Sequence, residues 1–436
     1  MNRFKILNNA TTLINEDFII DPWIYGNLYN NSWSPYPDTN YNKKELLKIK
    51  YCYISHLHQD HWDIDTIKYF NKDTIFYISN MKFNLVIKKT LNYMGFKNVV
   101  PLEYKKNYNI SKKYNISVVP PLNRYAHETN DVEDKDDNAI AIDTGILVKT
   151  KNDGLNHLIL SDNSPYDFRI FKKNFKKKKI TTLFFPYNGF ADDYPLCYDN
   201  LNLVEKKKIS LTRSLTREKY LINFIAQIKP KYILPHSSEF TLNTHKKIEF
   251  KKIHPKVFKD KDLYSERIEK ITKIKSFAVF SEDALYLDKK NYFFEKNSTY
   301  NSKNKVRKNI KLKFPKSNKK LNFDDLLQKS LTSYLERIKK YQLNFTKISK
   351  WKLIINLNDK QKIYLINIKD NKIEKKIGSV IRGQYLMLKT NQNTIACILE
   401  KKLHMNNCQI GCYLSWKRSP NIFSKELNDS LNFFHI

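Results

Sequence analysis

Through the first two-thirds of the chain, short apolar runs of strand length recur, most of them closed by a turn-forming or polar residue. TTLINEDFIIDPW reads as two short strands ending beside Asp21 and Pro22. KIKYCYISH is β-rich and runs into a cluster of histidines, and IDTIKYF just beyond has helical spacing. TIFYISN is strand-like, MKFNLVIKKTLNYMGF has the period of an amphipathic helix stopped near Gly95, and YNISVVPP is another strand. NAIAIDTG, HLILSD, TTLFFPY and KYILPH predict four more, each closing near a residue with metal-binding or hydrogen-bonding chemistry. The alternation predicts an α/β fold, and strand ends carrying His and Asp predict one shared site at one edge of the sheets.

After Phe294 the pattern is lost. EKNSTYNSKNKVRKNIKLKFPKSNKK is polar, basic and aperiodic, which predicts a linker or surface arm over 295–320. From Leu321 an amphipathic helix, NFDDLLQKSLTSYLERIKKY, precedes strand-like KLIINLN, KIYLINIKD, YLMLKT and a final CYLSW. Residues 1–294 are thus expected to form one domain and 321–436 a smaller α+β module, with no internal repeat.

Composition changes this picture little. The 78 Lys and Arg against 44 Asp and Glu give a formal charge of +34, which would draw in anions of any kind. The same chain is crowded with Lys, Asn, Ile, Tyr and Phe and holds only 8 glycines, the skew an AT-rich genome imposes on any protein. Lysine clusters such as FKKNFKKKKI, 171–180, lack the interleaved aromatics of a base-stacking platform, so nucleic acid is not the expected partner. Cys52, Cys197, Cys397, Cys408 and Cys412 form no C-x-x-C pair and are odd in number, which fits a reducing compartment. Without an apolar stretch of signal-peptide or membrane-span length, a soluble, cytoplasmic protein is expected. Oligomeric state leaves no mark.

The chemistry is concentrated in ISHLHQDHWD, residues 54–63, where three histidines and an aspartate fall within six positions. Among chains with 10 histidines in 436 residues, H-x-H-x-D-H should arise by chance on the order of a few times in ten thousand. At the end of an extended segment His56 and His58 point to the same side. Asp60 and His61 follow at a turn and can aim at a neighbouring point. One short loop can thereby serve two metal ions about 3.5–4 Å apart.

This pattern resembles the metallo-β-lactamase superfamily through most of the first 240 residues. The resemblance implies a four-layer αβ/βα fold and further ligands at later strand ends: His127 in NRYAHETND, Asp162 in LILSDNS and His236 in YILPHSSEF. It implies one metal on His56, His58 and His127, a second on Asp60, His61 and His236, and Asp162 bridging them. Asp21 in IIDPW looks like the family's early strand-end aspartate, which orients a ligand histidine. The implied cofactors are two divalent ions, zinc in the first instance, with iron or manganese as alternatives. His157, His245, His254, His404 and His435 lack such context and are expected to be structural or exposed.

DPW, YISHLHQDH, YNGFADDYPLCYDN (187–200) and the ending NNCQIGCYLSWKRSPN with LNFFHI resemble the branch related to CMP-N-acetylneuraminate hydroxylase. That branch carries a Rieske centre, whereas no histidine here lies two or three residues after a cysteine. At fold level the motif also resembles L-ascorbate-6-phosphate lactonase, N-acylphosphatidylethanolamine phospholipase and the ribonuclease branch. The C-terminal module faintly resembles sterol-carrier-like domains. The expectation is a metal-dependent hydrolase of an ester, lactone or phosphodiester on an anionic sugar or nucleotide sugar, with Asp60 or Asp162 orienting the attacking hydroxide and 187–200 lining the cleft. The alternatives are an iron-dependent oxidoreductase fed by a separate electron donor and an RNA-processing nuclease.

Overall fold

Alternation along the strand Asn2–Asn8 sends Phe4 and Ile6 to one face of a sheet and Leu7 to the other. The same division repeats in Tyr51–Ile54, where Tyr53 faces one way and Cys52 and Ile54 the other. In the computed structural model these strands belong to an eight-stranded sheet. Its order is Tyr292–Glu295, Ala284–Leu287, Asn2–Asn8, Thr11–Ile14, Phe18–Ile20, Tyr51–Ile54, Ile75–Ser79, Val99–Leu102. The structure describes residues 1–436 apart from 40, 105, 123–141, 188–192, 238, 298–306, 308–309, 319, 321, 361 and 377–381.

A seven-stranded sheet lies opposite, in the order Lys275–Ser276, Tyr232–His236, Thr182–Pro186, Asn156–Ile159, Gly145–Thr150, Tyr114–Val119, Tyr108–Asn109. Its Ile116, Val118, Ile146, Val148, Ile159, Phe184 and Leu234 meet Phe4, Ile6, Ile20 and Tyr53 of the first sheet in one buried cluster. The outer face of the first sheet, through Cys52, Ile54, Phe76 and Ile78, packs on Leu46, Ile67, Ile87 and Leu91 of short helices. The outer face of the second, through Leu147, Leu158, Leu183 and Ile233, packs on Phe171, Leu221, Phe224 and Ile268. Helices, sheet, sheet and helices make four layers, the αβ/βα class that the family resemblance implies.

In each sheet the strands nearest the site are parallel. Phe18–Ile20, Tyr51–Ile54 and Ile75–Ser79 run together in one, and Asn156–Ile159, Thr182–Pro186 and Tyr232–His236 in the other. Their carboxyl ends lead to Asp21, His56, Asp162 and His236, and such ends are where open α/β sheets place their sites.

The longest helix, Leu203–Ile228, is opened by a capping box of Asn202 and Glu205. Apolar periodicity does not announce it, because its buried face carries Lys206, Ser210, Arg213, Ser214 and Glu218. These are satisfied by specific partners: Lys206 Nζ donates to Leu196 O (2.8 Å) and Glu249 (2.7 Å), and Glu218 takes both arms of Arg267 (2.7 Å each). Only the last half of the predicted strand NAIAIDTG lies within the described residues. Residues 138–141 fall outside the described residues, 142–144 are irregular, and the strand is Gly145–Thr150.

Past the connecting segment, the helix Phe323–Lys340 packs on a five-stranded sheet ordered Lys372–Lys376, Lys362–Asn367, Lys352–Leu357, Tyr385–Thr390, Ser415–Ser419. One apolar cluster runs from the second sheet's helices through Trp33, Tyr198 and Phe240 to Leu414, Trp416 and Leu331. Backbone bonds cross the same boundary, with Trp416 N donating to Cys197 O (2.8 Å) and Asp199 N to Trp416 O (2.7 Å). No described helix is long and apolar enough to cross a membrane.

Candidate metal centre

The HLHQDHWD segment leaves the strand Tyr51–Ile54, bends through 56–58 with His58 itself in an extended conformation, and then tightens into a 3₁₀ turn, Gln59–His61. His61 N donates to His58 O (3.1 Å), and Trp62 Nε1 ties the turn back to Leu57 O (2.8 Å). The bend brings His56 Nε2 to 2.9 Å from His58 Nδ1. The turn buries Asp60 and His61, with His61 Nε2 3.3 Å from Asp60 Oδ2 and 3.1 Å from Asp162 Oδ2. Asp162 arrives from the opposite sheet, two residues past Leu160.

Asp21 sits under this cluster, fully buried. Its Oδ2 lies 2.9 Å from His61 Nδ1, and it accepts from Ser55 N and Ser55 Oγ at 2.8 Å and from Ser161 Oγ. Beside the Asp21 carboxylate, Nδ1 of His61 carries a proton, which leaves Nε2 as the nitrogen that would offer its lone pair to a metal ion bound there. Asp60 is held from the other side, its Oδ1 accepting from Tyr29 OH (2.8 Å) and its Oδ2 from Asn9 Nδ2 (3.2 Å). Ser237 Oγ donates to Asp162 Oδ1.

Backbone strain gathers on the same supports. Asn9, Asp21, Tyr29, Ser161 and Ser237 all have left-handed φ, from 41° to 66°. Such conformations are costly outside glycine and persist where the surroundings over-determine them.

Among the described residues, possible ligand atoms come within 4.8 Å of one another in two triads: His56, His61 and Asp162, and His56, His58 and Asp143. Asp143 has no place in the sequence expectation. Its Oδ1 is 3.5 Å from His56 Nε2, and its neighbour Thr144 fixes it there by donating to Ser55 O (2.5 Å) and meeting Tyr53 OH (2.7 Å). The signal was a strand-end aspartate in AIDTG, of the same kind as those in IIDPW and LILSD. His127 lies outside the described residues. His236 ends its strand, paired with Pro186, and is fully buried. It belongs to neither triad.

Electrostatics divide the histidines. Burial opposes a charge on His61, but Asp162, Asp60 and Asp21 outweigh it and hold its pKa well above the usual value. The same pairing outweighs desolvation of Asp162 and Asp60 and keeps both carboxyls below their usual range. Burial, aided by His61 and His58, drives His56 well down, and burial, aided by the charges of Lys261 and His61, carries His236 down to about 4.

Both ring nitrogens of His236 are buried without a hydrogen-bond partner among the described residues. Such orphaned groups are rare unless something satisfies them, as a cation would. Imidazole nitrogens with carboxylates suit zinc, iron or manganese, and ligands about 2.0–2.2 Å from a common ion sit roughly 3 Å from each other. The separations of 2.9–3.5 Å measured here are of that size. These residues fit a metal.

Two facing sheets between helices, with a strand-end His/Asp cluster, define the metallo-β-lactamase fold. No protein-family model matches the chain. Over 220 residues, half of the chain, it is 24% identical to a Mycolicibacterium smegmatis protein provisionally named a Rieske 2Fe-2S iron-sulfur protein, and the match spans 39% of that relative's length. Among solved structures it is similar to CmlA, a diiron β-hydroxylase from Streptomyces venezuelae (14% identity, 64% of this chain and 53% of that one, TM-score 0.40). It is similar also to an isothiocyanate hydrolase from Delia radicum gut bacteria (15%, 66% and 99%, TM-score 0.42) and to the short form of human tRNase Z (11%, 54% and 92%, TM-score 0.33). The sheet order and the three apolar layers described above are what define the fold.

The described part of 187–200 does not front this cluster. Tyr194, Leu196, Cys197 and Tyr198 are buried in the apolar cluster shared with Trp416, and Arg418 lies over the rings of Tyr194 (4.6 Å) and Tyr198 (4.8 Å).

Proposed function

We propose that the chain is a metal-dependent hydrolase acting on an ester, lactone or phosphodiester of an anionic small molecule, an anionic sugar or nucleotide sugar being the preferred class. Two groupings that share His56 support this reading, His56 with His61 and Asp162 and His56 with His58 and Asp143, each joining side chains from both sheets. In it, His56 and His58 with His127 or Asp143 hold one cation, Asp60, His61 and His236 hold another, and Asp162 lies between. Divalent cations bound there supply Lewis acidity, which activates water and stabilises charge developing on the substrate's oxygen. Asp21 keeps a proton of His61 on Nδ1, Ser237 fixes Oδ1 of Asp162 while its Oδ2 faces His61 Nε2, and Asp60 or Asp162 would orient the attacking hydroxide. Residues 1–294 act as the catalytic unit, 295–320 as its connection and 321–436 as the C-terminal module.

The similarity to the Rieske-named relative favours a second reading, an iron-dependent oxidoreductase with a separate electron donor. Turnover of phosphodiesters, lactones and CMP-sugars, measured with and without dioxygen, separates the two. Hydrolysis that is indifferent to dioxygen and lost in His58→Ala is expected; a product formed only with iron, a reductant and dioxygen would overturn the first reading.

A further inference from the structure

The C-terminal module reaches the candidate metal centre through one loop, residues 28–33. Three consecutive non-glycine residues in it, Tyr29, Asn30 and Asn31, have φ of 48°, 59° and 66°. Left-handed backbone is disfavoured at each, so contacts outside the loop must hold it. Those contacts come from the chain's last third. Asn30 exchanges bonds with Lys313, its Nδ2 donating to Lys313 O (3.0 Å) and its carbonyl accepting from Lys313 N (2.9 Å), while Asn31 Nδ2 donates to Lys311 O (3.0 Å). Ser32 Oγ donates to Gly411 O, Trp33 Nε1 to Ile410 O (3.0 Å), and Tyr413 OH to Asn30 Oδ1 (3.1 Å).

On its other side the loop ends at Asp60. Tyr29 OH donates to Asp60 Oδ1 at 2.8 Å, and Tyr29 N donates to Gln59 Oε1 at 3.1 Å. The Tyr29 ring is buried edge-on to Trp33, with 5.0 Å between centroids, so its hydroxyl has little freedom to follow the carboxylate if that turns. With Asn9 Nδ2 on Oδ2, the tyrosine fixes the plane in which Asp60 presents its remaining lone pairs to His61 and to any ion beside it.

We propose that residues 410–413 position Asp60 through Asn30, Trp33 and Tyr29, so that the C-terminal module serves as a positioning element of the metal centre. The inference rests on Asp60 being a ligand, as in the proposed function. Neither Tyr29 nor Tyr413 touches substrate in this account; both are positioning residues.

The test is a cobalt(II) titration of the full chain, followed by visible absorption, for wild type, Tyr29→Phe, Tyr413→Phe and the double variant. Tyr29→Phe should weaken one cobalt site about tenfold and Tyr413→Phe about threefold, with the double variant no weaker than Tyr29→Phe alone. Ser32→Ala, which removes the contact to Gly411 O, repeats the test from a second contact and should behave as Tyr413→Phe does. A packing role alone predicts unchanged cobalt affinity in Tyr413→Phe and Ser32→Ala, and that result overturns the inference, as do additive losses. A wild-type chain that binds no cobalt overturns the metal reading and this inference with it, whereas normal wild-type binding with unaffected remote variants overturns this inference alone.

Discussion

Asp21 Oδ2 lies 2.9 Å from His61 Nδ1, and the far nitrogen of the same ring, Nε2, lies 3.1 Å from Asp162 Oδ2. One buried imidazole thus joins an aspartate of the first sheet to an aspartate of the second. Asp21→Asn keeps the shape but no longer dictates which nitrogen holds the proton. Zinc affinity should fall about 10–100-fold while the far-ultraviolet spectrum stays that of the wild type. Unchanged zinc affinity would make Asp21 a purely structural group.

Asp143 stands 3.5 Å from His56 Nε2 in a triad with His58. If it contributes to the centre, Asp143→Asn should lower zinc affinity about tenfold or more, while His127→Ala should reveal whether that histidine shares the same ion. Competition against a chromophoric chelator reads both. An Asp143→Asn protein that holds zinc as tightly as wild type would place Asp143 outside the centre.

His157 offers a pH signature remote from any metal. Buried between Thr150 Oγ1 (3.3 Å) and Thr182 Oγ1 (3.2 Å), it is held neutral by desolvation, its pKa lowered to about 4. The unfolded chain takes up this proton near 6.5, the folded chain only near 4, so the stability it contributes is present above about 6.5 and is lost as pH falls toward 4. The full span amounts to about 3 kcal/mol. Urea unfolding at pH 7 and pH 4.5 should show His157→Gln losing about 2–3 kcal/mol less than wild type between the two. Parallel losses would contradict the assignment of a neutral, buried ring.

Gly26 is required by space. A Cβ there would lie 2.2 Å from Asp63 Oδ1, while Asp63 accepts from Gly26 N (2.8 Å) and Thr66 Oγ1 (2.6 Å) and caps the helix that follows the histidine turn. Gly26→Ala should cost about 1–3 kcal/mol in denaturant unfolding. A change within a few tenths of a kcal/mol would mean that the turn yields freely.

How much of this was legible follows from what each element depends on. The α/β character shows in the short apolar runs of Tyr51–Ile54, Asn156–Ile159 and Tyr232–His236, because a strand buried on both faces reads as a continuous apolar stretch, a local property. The grouping of His56, His58, Asp60 and His61 is local too. Leu203–Ile228 was hidden because its buried face is built of Lys206, Arg213 and Glu218, whose partners come from distant segments. Asp143, Tyr29 and Asn9 were hidden for a related reason. AIDTG offers only a strand-end aspartate, nothing near NLYNN or LNNAT distinguishes a site residue from a turn residue, and only the folded chain brings these residues to His56 and Asp60.

Elemental analysis of the full chain purified without added metal decides whether this cluster holds metal. Under the proposed function, about two equivalents of a divalent transition metal, zinc foremost, should be found, reduced by at least one in His61→Ala. A wild-type protein that carries none and fails to take up zinc, cobalt, iron or manganese on titration would contradict it.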